Sequence, residues 1–546
     1  VRRILSARPS IKIQHLILLL SLYYSLVLNR ALLDKLFQLA ADSNLAIFPY
    51  TAPILLFCLL AFLFTVVSLP YVFKPFMIFL TLTSAVAMYG VEQYHILLGV
   101  SMMENVFETN QNELSTYISL SSVLFIMMYG ILPSLFIGFV KIEYPKGIWG
   151  QFKPRLGVFL IAIIGIGCVL STEYKNYASI GRNNHYLGGM IIPAQFFNSI
   201  KYLNKTYFTA PLPYVSLGDD AQIATSQNAK PTLVVLILGE TARAKNFSYN
   251  GYERNTNPYT MVDPLITFTD VTSCGTYTAR SVPCMFSDLG QNDFEKARAQ
   301  SRDSLVDVIR KAGVETLWIE NDGGDKGVAR TSSTMNAISQ VSPFCQKDYC
   351  YDESLIAPMK AFIESAPQNK FVVLHTMGSH GPTYWQRYPQ SMEIFSPSCN
   401  QSDIENCTDE AIRNVYDNTI AYTDYFIAKT IETLKPFQSQ YNIALSYISD
   451  HGESLGESGL YLHGTPYAIA PKEQTHVPWL LWLPEQYAHS KGIDKACVSK
   501  KASETALSHD NLFHSILGLY GIQTRAKSQQ LDLFSSCKSH LLTHDA

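Results

Sequence analysis

The chain has 546 residues, of which 47% are apolar and only 16% charged, against roughly 25% charged in soluble proteins. That average excludes an ordinary water-soluble enzyme, and a net charge of −3 without long basic runs gives no footing for nucleic acid as a partner. The average also conceals a division: residues 1–170 hold 11 Lys/Arg and 7 Asp/Glu, whereas the other 376 hold 31 and 38.

Five runs free of Asp, Glu, Lys and Arg centre on residues 13–29, 47–69, 75–91, 114–140 and 156–172. About 20 apolar residues cross a bilayer, and five such runs exceed what a soluble core needs. No small-residue cleavage site follows the first run, which argues against a signal peptide. Arg2, Arg3, Arg8 and Lys12 precede the first run, and Lys141, Lys146, Lys153 and Arg155 separate the fourth from the fifth, whereas 92–117 contains no Lys or Arg. Basic short loops stay cytoplasmic, so an odd number of spans places everything after residue 172 outside. The expected division is a transmembrane domain (1–172), a bridging segment and linker (173–231), and an exported domain (232–546).

Ten cysteines include Cys58 and Cys168 within spans and eight beyond them. An even number in an exported domain suits disulfides. Neighbouring pairs are Cys274 with Cys284, Cys345 with Cys350, and Cys399 with Cys407; whether Cys497 joins Cys537 stays open. A metal-thiolate site is the alternative, but these spacings are not the paired C-x-x-C of zinc ribbons.

Past the linker, β-rich runs at 232–239, 265–270, 314–320, 371–375, 443–450 and 478–483 alternate with helix-compatible segments. That alternation predicts an α/β domain with a mainly parallel sheet, and such sheets gather their working groups at the carboxyl ends of the strands. Those ends offer Glu240, His375 with His380 after it, and Asp450 with His451; His463 follows in a glycine-rich stretch. Mixed O/N donors suit a catalytic zinc, although lone histidines are more often structural. The hydroxyls of the segment 271–287 include Thr272, Ser273, Thr276, Thr278 and Ser281, and spacing does not choose a nucleophile among these five.

The strings LGET (238–241), CGTYTARSVPCMFS (274–287), SHGP (379–382), SDHGESLGE (449–457) and YLHGTPYAIAPKEQ (461–474), in this order, resemble the lipid A phosphoethanolamine transferases, relatives of the mobile colistin-resistance enzymes in the alkaline phosphatase-like superfamily. The resemblance implies five spans plus an alkaline phosphatase-like periplasmic domain in a bacterial inner membrane. It implies Thr278 as nucleophile, with Glu240, Asp450 and His451 as its companions on a catalytic zinc, and additional zinc is allowed. It further implies substrate or second-metal roles for His380, His463 and Lys326, with Gly323 standing where some members carry a head-group serine. Asn105, Thr109 and Glu113 recur every fourth residue, so on a helix they share one face; the resemblance makes them lipid-donor contacts rather than a solvated face. Phosphatidylethanolamine is the implied donor, lipid A the acceptor, polymyxin resistance the phenotype, and a monomer the expected state. Rival readings keep the fold but transfer phosphoglycerol or modify another periplasmic glycan, or else make the exported domain a tethered binding module. A sulfatase would need a C/S-x-P-x-R setting that the 274–284 segment lacks.

Overall fold

The computed structural model describes all residues except 1–7, 43, 44, 46, 110, 224–229, 340, 341, 347, 348 and 539–546. The chain divides into two compact units, Val1–Glu104 with Ile118–Tyr207, and Asn105–Tyr117 with Phe208–Ala546.

Among the described residues of the first unit, four helices are long and apolar enough to cross a membrane: Phe48–Val66, Phe73–Gln93, Leu120–Phe139 and Trp149–Asn183. A bent pair, Ile13–Leu28 and Arg30–Ala41, turns through 60° and makes the fifth candidate. The bend falls at buried Asn29, whose Nδ2 donates to the carbonyls of Tyr24 and Ile192 at 2.9 and 2.8 Å while its Oδ1 accepts from Ile192 N–H at 2.9 Å. A side chain that competes for backbone groups is a recognised cause of a sharp kink. Ile13, Leu16, Ile17 and Leu20 form one stripe of the first helix and pack with Leu60, Phe64, Met77 and Leu80, as expected of helical spacing. The last helix runs on to Asn183, past the apolar run that ends at 172, because hydropathy does not decide where a helix stops. A further helix, Ala194–Tyr207, occupies part of what reads from sequence as a mixed bridging segment.

The second unit is built on a seven-stranded sheet. Its strands are β1 (Thr232–Gly239), β2 (Leu265–Phe268), β3 (Glu315–Glu320), β4 (Ser333–Asn336), β5 (Lys370–His375), β6 (Asn442–Ser449) and β7 (Trp479–Trp482), in the spatial order β2-β7-β6-β1-β5-β3-β4. The block from β6 to β4 is parallel throughout, and β7 and β2 close the other side antiparallel. Every residue of β1 and β6 is buried, which explains why both read as unbroken apolar runs: a central parallel strand is covered on both faces. Val234, Leu236 and Leu238 point to one face and pack with Phe371, Val373 and Ile448, following the two-residue period of a strand.

Register decides what happens at the sheet's edge. Gly239 lies opposite Ser449, Leu238 opposite His375, and Glu320 opposite His375. The residues that leave β1, β6, β5 and β3 therefore emerge side by side. Two helices complete the setting. Helix α1 (Thr278–Met285) starts at that edge, and α2 (Asp409–Leu434) begins with Thr408 accepting from Ala411 N–H at 3.2 Å, a capping contact. Disulfides join Cys274–Cys284, Cys345–Cys350, Cys399–Cys407 and Cys497–Cys537, while Cys58 and Cys168 are free thiols.

Candidate active site and metal centre

Thr278 is the first residue of α1, where helix N–H groups and the helix dipole favour an anion. Its hydroxyl lies 3.3 and 3.2 Å from the two oxygens of Glu240 and 3.4 Å from His451 Nε2. The other four candidates make no such contact: Thr272 donates to the Leu507 carbonyl, Ser273 to that of Gly275 and Thr276 to that of Thr465, while Ser281 Oγ is buried without a hydrogen bond. Geometry thus brings one of the five to the carboxylates.

His451 Nδ1 donates to the Gly452 carbonyl at 2.9 Å, which leaves the Nε2 lone pair facing the site, the usual arrangement of a ligating histidine. Nε2 lies 3.4 Å from Glu240 Oε1 and 3.3 Å from Asp450 Oδ2. Asp450 Oδ1 accepts from the N–H groups of His451 and Thr241 at 2.7 and 3.2 Å, but Oδ2 is buried with no hydrogen-bond partner. An orphaned carboxylate oxygen in a closed site is costly unless a cation completes it. Burial first, then Asp450 and Asp322, push the Glu240 carboxyl well above its ordinary range; two close carboxylates cannot both ionise without positive charge. One atom each from Glu240, Asp450 and His451 lie within 4.8 Å of one another. The donor set fits a divalent cation of zinc-like preference, with Thr278 Oγ1 as the fourth donor.

A second tier surrounds this cluster. The His463 ring centre lies 4.6 Å from that of His451 and 5.3 Å from that of His380. Buried Glu453 bonds His463 Nδ1 at 2.8 Å and receives the Tyr384 hydroxyl at 2.6 Å, so the histidine presents Nε2. His509 accepts from Cys274 N–H through Nδ1 at 3.0 Å and meets the Ser449 carbonyl through Nε2 at 2.9 Å, tying the segment that leads into Thr278 to the end of β6. Burial pushes this imidazole down to about 4, so it is neutral. On the other side, burial alone would lower His375, yet Glu320, Asp322 and Glu240 raise it to about 9. Glu320 falls to about 2 despite burial, because His375, the Trp318 indole and Gly323 N–H all favour its ionised form. Gly378 has φ +51, and a Cβ there would lie 2.6 Å from the Glu240 carbonyl oxygen. The glycine lets the loop after β5 approach Glu240 closely enough for Ser379 N–H to donate to that oxygen at 3.0 Å.

Of the four residues expected around a zinc, Glu240 and His451 lie against Thr278 and Asp450 lies against His451, with His463 beside His451 and His380 beside His463. Lys326 Nζ donates to the Gly323 carbonyl at 3.0 Å, and its charge reaches Asp322. Asn105 and Thr109 do not continue on one helix to residue 113: the helix Val100–Glu108 ends and a separate one, Gln111–Thr116, follows. The Thr109 hydroxyl donates to the Asn105 carbonyl at 2.7 Å, a local bond that competes with helix continuation. The side chain of Glu113 lies outside the described residues. Asp322, Glu453, Tyr384 and His509 carry no sequence signal that marks them beside this cluster, whereas His375 is marked by its strand end.

Residues 56–207 match the family model described as phosphoethanolamine transferase EptA/EptB, and residues 232–522 match the sulfatase model. Phosphoethanolamine transferase EptA of Escherichia coli strain K12 is 38% identical over 540 residues, covering 97% of this chain and 98% of that protein. The chain belongs to the phosphoethanolamine transferase family. Phosphatidylethanolamine transferase Mcr-1 of Escherichia coli is 34% identical, covering 90% of this chain and 92% of that one. The integral membrane lipooligosaccharide phosphoethanolamine transferase A of Neisseria meningitidis superposes with a TM-score of 0.93 at 36% identity, covering 96% and 98% of the two chains. Both parts of this transferase, the helical unit and the sheet domain, are therefore shared with its relatives.

Proposed function

We propose that this protein is an inner-membrane enzyme that moves phosphoethanolamine from phosphatidylethanolamine to a phosphate of lipid A through a phosphothreonine at Thr278. The observation that carries the reading is the Thr278 hydroxyl within 3.2–3.4 Å of Glu240 and His451, in a chain alignable with EptA over 97% of its length. The spans hold the chain in the membrane with its sheet domain in the periplasm, where both lipid head groups are exposed.

In the first step Thr278 Oγ1 attacks phosphorus, the bond to the diacylglycerol oxygen breaks, and that oxygen leaves with a proton. In the second a lipid A phosphate oxygen attacks the same phosphorus, the bond to Oγ1 breaks, and the threonine regains its proton. A zinc ion held by Glu240, Asp450, His451 and Thr278 would supply the charge that lowers the hydroxyl pKa and stabilises the transferring phosphoryl group. The buried edge keeps water from competing for the phosphothreonine. We assign proton exchange with the leaving oxygen to His463, which Glu453 holds through Nδ1, and head-group binding to Lys326 and His380. Asn105 and Thr109 are assigned to the lipid donor. Capping an anionic phosphate with an ammonium weakens binding of cationic polymyxins.

Lipid A mass spectra from cells expressing wild type and Thr278→Ala test the reading. Wild type adds phosphoethanolamine and the variant does not; an undiminished adduct in the variant removes Thr278 as nucleophile.

A further inference from the structure

We infer that the chain holds a second divalent cation, zinc or a close relative, between Glu240, Asp322 and His375, on the far side of Glu240 from Asp450. This inference rests on the catalytic-metal reading above, because Glu240 would serve both ions.

Three observations carry it. One ligand atom from each of the three residues lies within 4.8 Å of the others, and a zinc ion with N and O ligands at about 2.0–2.2 Å needs only a modest contraction of that spacing. His375 is fully buried, and its Nε2 has no hydrogen-bond partner. That atom lies 3.8 Å from Asp322 Oδ2, beyond hydrogen-bond reach but suited to an ion between the two. The opposite ring nitrogen, Nδ1, is held by Glu320 Oε2 at 3.0 Å. Glu320 is itself fixed by the Trp318 indole at 2.8 Å and by the N–H groups of Asp322 and Gly323 at 2.7 Å each. A buried carboxylate on one nitrogen and a second nitrogen without a hydrogen-bond partner match the carboxylate–histidine–metal arrangement, in which the outer partner fixes the tautomer and raises ligand basicity.

Topology explains why the three meet. β1, β5 and β3 are consecutive neighbours in the sheet, and their carboxyl ends deliver Glu240, His375 and, two residues beyond Glu320, Asp322. A carboxylate shared between two ions is the arrangement of two-metal phosphoryl-transfer sites, whose ions lie roughly 3.5–4 Å apart. Here the second ion would hold Glu240 ionised beside Asp450 and would fasten the 320–327 loop, which carries Lys326, to the catalytic edge. The competing occupant of His375 Nε2 is a proton, which would give a buried imidazolium and no second ion.

Zinc per protein decides between them. Full-length protein in detergent micelles is stripped with chelator, reloaded with zinc, desalted and analysed by inductively coupled plasma mass spectrometry, with thermal unfolding recorded for each sample. His375→Gln, Asp322→Asn and the double variant should each hold one zinc fewer than wild type, with the double variant losing no more than either single one. The zinc-induced rise in melting temperature should shrink in parallel. Asp322→Asn, which conserves shape, carries the test should His375→Gln fail to fold. Equal zinc in wild type and both single variants overturns the second site. Asp450→Asn reports on the catalytic centre separately: equal zinc in that variant and wild type would refute the primary metal reading, whatever the outcome at His375.

Discussion

Replacing Gly378 with alanine should disable the enzyme without disturbing its fold far from the site. Gly378 has φ +51, a Cβ there would lie 2.6 Å from the Glu240 carbonyl oxygen, 3.0 Å from its nitrogen and 3.3 Å from its Cβ. Carbon and oxygen approach no closer than about 3.3 Å even in C–H···O contacts, so the loop and Glu240 must separate by roughly 0.7 Å. Left-handed backbone adds about 1–2 kcal/mol for a residue with a Cβ. The displaced residue is the one whose carboxylate accepts from Thr278 at 3.2 and 3.3 Å, and misplacing reacting groups by about 1 Å costs on the order of 100-fold. Release of fluorescent diacylglycerol from a labelled phosphatidylethanolamine should therefore fall about 10- to 100-fold, with only a modest drop in melting temperature. Gly251→Ala is the control: φ is +91 there too, but nothing lies within 4 Å of its Cβ, so backbone strain is tested without the clash. Turnover by Gly378→Ala close to that of wild type would show that the approach to Glu240 does not position it.

The Cys274–Cys284 bond spans 10 residues around Thr278, so Cys274→Ser with Cys284→Ser should destabilise the sheet domain by about 2–3 kcal/mol and reduce transfer, read as melting temperature and turnover. Asn29→Leu leaves Ile192 N–H and C=O buried without their partner, at about 1–3 kcal/mol per group; thermal unfolding in nanodiscs measures it, and an unchanged midpoint refutes the role given to the bend. His509 and His514 are both pushed down to about 4 by burial. Below an unfolded value of about 6.5 the unfolded chain takes up protons the folded one refuses, so stability is complete above that pH and declines as pH falls towards 4. Each group adds a slope of up to about 1.4 kcal/mol per pH unit; His514→Gln should flatten the melting temperature across this window, and an unchanged slope counts against it. Glu453→Gln should lower turnover while leaving zinc content intact, because Glu453 holds His463 through Nδ1 at 2.8 Å; unchanged turnover refutes that.

Hydrophobic patterning carried most of the fold because burial is strongest where the sheet is deepest. β1 and β6, fully enclosed, left runs that nothing interrupts. β4, by contrast, reads Ser-Thr-Met-Asn and is largely exposed, so an edge strand of four polar or half-buried residues gives no periodic signal, and the sequence reading omitted it. The break after Glu108 was equally hidden, since the spacing of Asn105, Thr109 and Glu113 is compatible with a helix whether or not the chain forms one. Asn29 looked like the polar end of an apolar run, whereas its real partner is Ile192, a contact that no local window contains.

The site behaves differently, because its residues are legible singly and invisible as a set. Strand ends mark Glu240, His375 and Asp450, but the linear chain does not say which strands are neighbours. The order β6-β1-β5-β3 makes β1 central, so Glu240 alone can face both Asp450–His451 on one side and His375–Asp322 on the other. Exchanging the positions of β1 and β3 in that order would preserve every motif and still part Glu240 from Asp450 and His451, because β1 would no longer adjoin β6. Glu240 is thus the residue on which the two donor clusters of the edge converge. Its neighbours divide by strand: those after β6 would hold the cation beside Thr278, and those after β5 and β3 would set how firmly Glu240 itself is held.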